Sequence, residues 1–144
     1  MKENRISFSE EEIKAFAPSE KIAIAATLPE KGPPHLTLLT SIMTAAEDRV
    51  VIGEFCRGES KNNMATRPPM AFAVVTLDRR LWRGKARWTH LKTEGPEYET
   101  YNNQPMFRYN TYFGINKVHY LDLVDIEGGN PLPMVPIVFS TLLT

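Results

Sequence analysis

Eleven prolines punctuate this chain of 144 residues, and they stand between short apolar runs rather than inside a low-complexity tract. Proline lacks a backbone donor and fixes φ, so it suits strand ends and first helical turns but not the middle of either. The chain is thereby cut into many short elements. The apolar runs between the breaks read as strands: Ile22 to Leu28, His35 to Met43, Arg49 to Phe55, Met70 to Leu77, Leu81 to Leu91 and Val118 to Ile126. The first three, joined by tight turns, predict an antiparallel meander. Met70 to Leu77 is apolar almost throughout, which predicts burial on both faces. In Leu81 to Leu91, Trp82, Gly84, Ala86 and Trp88 alternate with Arg83, Lys85 and Arg87, a period of two with one charged face.

Helical segments fall at defined breaks. Ser9 with Glu12 three residues on makes a capping box, Phe8 is placed to staple onto Ile13, Ile13 and Phe16 share a face, and the helix ends by Ala17. A second short helix opens at Ser60-Lys61 and is stopped by Pro68-Pro69; a third runs from Pro96 to Asn103. Six strands with such helices predict a mainly β protein, a small β-barrel with α decoration, in which closure of the sheet removes exposed edges. The length fits one domain over 1–144 that buries roughly 70% of its unfolded surface. Its N-terminal helix lies within 1–20, and a proline-rich tail over 128–144 follows a break at Gly128-Gly129.

Lysine and arginine together equal aspartate and glutamate, 17 against 17, so no long-range field draws the whole molecule to nucleic acid or an anionic membrane. The one cysteine, Cys56, cannot make an internal disulfide, which with the absence of a signal-like N-terminus or a membrane-length apolar run predicts a cytoplasmic protein. His35, His90 and His119 are widely separated and lack partners at ligand spacing, so no metal site is expected and each reads as a strand-surface or hydrogen-bonded histidine.

Chemistry concentrates in Gly53 to Pro69, GEFCRGESKNNMATRPP. A strand ends, a glycine-containing loop follows, and a helix starts with a hydroxyl and an ammonium side by side. Free N–H groups and partial positive charge at a helix start suit a phosphate, which Ser60 and Lys61 would hold with the amides. Arg57 and Arg67 add charge on either side. The segment lacks the spaced glycines of a P-loop or a dinucleotide fingerprint.

The order of these parts resembles the FMN-binding split β-barrel family, which includes pyridoxamine 5′-phosphate oxidase and many small flavin proteins. The resemblance covers roughly Lys21 to Ile126. It rests on the Gly32-Pro33 turn, the strands HLTLLT and VVIGEF, the loop and helix GESKNNMATRPP, then AFAVV and WRGKARW. It implies FMN as cofactor, with its phosphate at Ser60-Lys61 and Arg67, a ribityl hydroxyl within reach of Asn62 or Asn63, and the ring edge along the backbone of Leu38, Leu39 and Thr40. It also implies a homodimer with flavin at the interface, where WRGKARW faces the partner and Trp82 or Trp88 covers the ring. The activity implied is that of an oxidoreductase passing electrons or hydride between a donor such as NAD(P)H and a small molecule. The tail GGNPLPMVPIVFSTLLT is unlike the oxidase's substrate-binding segment, and no catalytic acid or base is nominated.

Other readings stay open at this level. The protein could hold flavin as an electron carrier without turnover, or bind deazaflavin or haem in the same barrel. RRLWRGKARW interleaves aromatics with cations as a nucleic-acid platform does, which the balanced charge disfavours. The aromatic-rich stretch from Met106 to Tyr120 would complete a core or dimer interface, or else line a substrate pocket. Trp82 and Trp88 would equally serve as core.

Overall fold

The computed structural model describes residues 5–17, 21–55, 59–104 and 115–132. Its seven strands are β1 (Lys21–Thr27), β2 (His35–Leu39), β3 (Ile42–Ala46), β4 (Arg49–Glu54), β5 (Pro69–Thr76), β6 (Arg80–Lys92) and β7 (Lys117–Pro131); its helices are α1 (Glu10–Ala15), α2 (Glu59–Thr66) and α3 (Pro96–Asn103). All the strands join one antiparallel sheet in the order β2-β1-β5-β6-β7-β4-β3.

This order corrects the expected six-strand count and the meander. The run His35 to Met43 is broken at Thr40-Ser41 into β2 and β3, which lie at opposite edges of the sheet. Ser41 donates its Oγ to the Gly53 carbonyl at 3.1 Å, and its own carbonyl accepts from the Tyr101 hydroxyl, so this crossing is pinned by buried polar contacts. Tyr101, fully buried, also donates to the Val51 carbonyl at 3.2 Å.

Alternation decides which side chains are inside. Along β6, Trp82, Gly84 and Ala86 are buried while Arg83, Lys85 and Arg87 face out, as their spacing predicts. β5 also alternates: Met70, Phe72 and Val74 enter the core, but Ala71 is exposed and Ala73 half-buried, so this strand is not covered on both faces. The core beneath β1, β5 and β6 contains Phe16, Ile42, Ile52, Met64, Trp82, Leu121 and Ile126, with the Trp82 ring edge-on to Phe16 at 5.3 Å. A smaller cluster under α3 joins Met43, Val51, Tyr101, Ile115, Val118 and Tyr120.

α1 carries the expected capping box, with the Ser9 side chain accepting from the Glu12 amide and the Glu12 carboxylate from the Ser9 amide. Phe8, however, meets Phe16, with ring centroids 5.4 Å apart, while Ile13 stays exposed. Glu12 and Phe16 are four residues apart and mark the inward face, and Ile13 is turned about 100° from Glu12. β7 runs through the expected break at Gly128-Gly129 to Pro131. Both glycines take positive φ, and the register with β6 shifts between Leu81 and Trp82, so a bulge absorbs them and the strand continues.

Candidate functional site

The candidate site is built from the end of β4, the edge strand β2 that finishes beside it, and α2, the helix that follows β4. α2 packs against β1, β2 and β6. Asn63 is buried within it and donates from Nδ2 to the Thr27 Oγ1 at 3.2 Å, which ties the helix to the end of β1. Met64 points into the core. The helix closes with the Arg67 amide on the Asn63 carbonyl at 2.7 Å, and Pro68, with no amide proton to donate, follows. The Pro68 carbonyl then accepts from the Trp88 amide at 2.9 Å, so the end of α2 is locked to β6.

The expected site residues distribute as follows. Ser60 and Lys61 lie in the first turn of α2, and Lys61 is half-buried. Arg67 follows the last turn of that helix; six residues separate it from Lys61, about 9 Å along the axis. The two cations therefore belong to opposite ends of α2. Asn63 faces the barrel rather than solvent. Leu38 is exposed and Leu39 buried at the end of β2, with exposed Thr40 directly after. β2 pairs only with β1 among the described residues, leaving its outer backbone edge without a strand partner. The Ser41 to Gly53 hydrogen bond brings this end of β2 beside the end of β4. Trp88 is half-buried beside the core, whereas Trp82 lies wholly within it. Arg57, Cys56, the tail over 133–144 and most of the aromatic-rich stretch lie outside the described residues.

Two residues here carry no sequence motif. Glu54, the last residue of β4, and His119, in β7, are buried together, with His119 Nε2 3.1 Å from Glu54 Oε1. Trp88 Nε1 donates to His119 Nδ1 at 3.0 Å. Burial holds the imidazole below its ordinary pKa of 6.5; Glu54 opposes this by hydrogen bond and charge, and Lys61 and Lys117 reinforce it. The one visible signal was a lone carboxylate and a lone imidazole interrupting apolar strands, VVIGEF and VHYLDLV.

Solved structures place this architecture. An FMN-binding protein from Syntrophomonas wolfei subsp. wolfei superposes with a TM-score of 0.66 at 13% identity, over 85% of this chain and 87% of that one. HupZ from Group A Streptococcus does so at 0.65 and 17%, over 88% and 99%. A pyridoxamine 5′-phosphate oxidase-like protein from Lactobacillus delbrueckii gives 0.62 and 15%, over 87% and 97%. The fold is the split β-barrel these proteins share. No family model and no curated protein matches the chain.

Proposed function

We propose that this protein binds FMN at the α2 end of the barrel and works as a flavin-dependent oxidoreductase on a small molecule, as a homodimer. Two observations support the reading: the outer backbone edge of β2, ending at Leu38 to Thr40 beside the end of β4, has no strand partner among the described residues, and α2, which follows β4, carries Ser60 and Lys61 in its first turn. This donor set fits the cofactor. The amides of a helix start and an ammonium suit a phosphate dianion, and extended backbone offers donors and acceptors at regular spacing to the polar edge of a flat ring. When bound, FMN supplies the electron or hydride transfer.

The chain's own residues bind and orient. Lys61 supplies the charge at the helix start, Trp88 a half-buried aromatic wall, and Asn63 anchors α2 through Thr27 so that the seat keeps its place on the barrel. An apolar outer face supports the dimer: Ile22, Ile24, Leu36 and Leu38 are 56%, 48%, 66% and 68% exposed.

FMN titration of the purified protein, followed in the visible spectrum, tests the seat. Lys61→Ala and Ser60→Ala are expected to weaken binding, Lys61→Ala by about tenfold or more, as for loss of a charged hydrogen bond. Unchanged affinity in both variants overturns the reading. Steady consumption of a nicotinamide with an added acceptor supports turnover, whereas a tightly held flavin reduced only by a protein partner marks an electron carrier.

A further inference from the structure

Trp88, His119 and Glu54 come from three adjacent strands, β6, β7 and β4, and form one chain of hydrogen bonds that runs from the half-buried indole to the buried imidazole and carboxylate. An indole nitrogen can only donate, so His119 Nδ1 must be the bare nitrogen of the ring. Its proton is therefore on Nε2, aimed at the Glu54 carboxylate. His119 is 2% exposed and Glu54 6%, so neither can exchange these partners for bulk water. A second proton on the ring would set an N–H against the indole N–H and break the Trp88 bond. The charged groups whose fields reach the imidazole are Glu54 from β4, Lys61 from α2 and Lys117 from β7.

We propose that His119 is a positioning residue for the cofactor seat: carrying its proton on Nε2, it fixes the plane of the Trp88 indole and holds the Glu54 carboxylate at the foot of the segment that enters α2. The seat itself rests on the functional reading above, while the tautomer and the hydrogen-bond chain rest on geometry alone. A buried polar network resists rearrangement because breaking one of its bonds leaves buried polar groups unpaired. Trp88 in β6 and Glu54 at the end of β4 are thereby held by one side chain, although 31 residues separate Trp88 from His119 and 65 separate His119 from Glu54.

Imidazole nitrogen NMR on the ligand-free protein reads the tautomer directly. At about pH 7 the expected pattern is an unprotonated Nδ1 and a protonated Nε2; the opposite tautomer overturns the proposal. The Trp88 indole N–H resonance, assigned by its loss in Trp88→Phe, is expected to shift as pH falls below the ordinary imidazole value of 6.5, and this shift should vanish in His119→Gln. Trp88→Phe should move the His119 inflection to higher pH, because the bond that requires a bare Nδ1 is gone. FMN affinity is the second readout. His119→Leu is expected to weaken it about tenfold or more, and His119→Gln, whose Nε2 can still donate to Glu54, to recover most of that loss. If His119→Leu does not fold, the Trp88→Phe and His119→Gln titrations decide. An indole shift that persists in His119→Gln overturns the proposal. Full affinity in folded His119→Leu beside weakened Lys61→Ala overturns the positioning role alone; full affinity in Lys61→Ala and Ser60→Ala overturns the seat and the role with it.

Discussion

Gly84 has no room for a methyl group. A Cβ built there would lie 2.4 Å from Phe72 Cζ and 2.8 Å from the Asp125 carbonyl oxygen, a core ring on one side and the backbone of β7 on the other. Gly84→Ala is therefore expected to destabilise the fold by about 1–3 kcal/mol through overpacking, read as a lower urea midpoint with unchanged slope. An unchanged midpoint would mean that Phe72 and the β7 backbone at Asp125 both give way at no cost. Single residues were unevenly legible in the sequence. Ser60 and Lys61 stood out because a hydroxyl and a cation at a helix start have a known physical use. Glu54 and His119 did not, because they are partners only through the β4–β7 pairing, 65 residues apart along the chain.

Elements were legible where a local rule fixes them. α1 is such a case, and Glu12 is its central residue: it closes the capping box and receives both terminal nitrogens of Arg5. Burial of the carboxyl raises its pKa, but the Arg5 and Ser9 hydrogen bonds and the Arg5 charge together bring it below the ordinary 4.5. A folded-state pKa below the unfolded one gives stability that is present above about pH 4.5 and lost as pH falls through the folded value. Glu12→Gln is expected to cost about 1–3 kcal/mol at neutral pH and to flatten the acid limb of a thermal-melt series; an acid limb as steep as the parent's would assign the loss to other carboxylates. α3, set by Pro96, has the predicted bounds for the same local reason. Elements failed to be legible where long-range pairing decides them. Nothing in HLTLLTSIM shows that its two halves belong to opposite edges of the sheet, and the Gly128-Gly129 pair looked like an end because the β6 register that accepts the bulge is set elsewhere in the chain.

On the scale of the molecule, the apolar look of Met70 to Leu77 has a different cause from double burial. Strand register sets Leu38, Ile24 and Ala73 side by side across the outer face, and Leu36, Ala26 and Ala71 in the next row. Each row then meets charged residues, Arg83 with Glu127 and Lys85 opposite Asp125; Arg83 and Glu127 form an ion pair at 2.9 Å. An open groove of about 430 Å³ runs over Ile24, Ala26, Ala73 and Arg83 where the two kinds of surface join. An apolar field bordered by a charged strip is what an interface between copies of the chain requires, with the strip at the rim and the field at the centre. Ile24→Glu and Leu38→Glu each place a carboxylate in that centre, where two copies related by a two-fold axis would bring like charges together. Light scattering on a sizing column should give the parent chain twice its 16.4 kDa and each variant the single mass. Because both residues already face solvent in the single chain, circular dichroism should show both variants folded. A parent protein that elutes as a monomer at micromolar concentration, or a variant that stays paired, removes this face as the contact. Leu38 lies on the edge proposed to meet the flavin ring, so monomeric Leu38→Glu should also bind FMN more weakly. Ile24→Glu should share that loss only if the partner copy completes the seat.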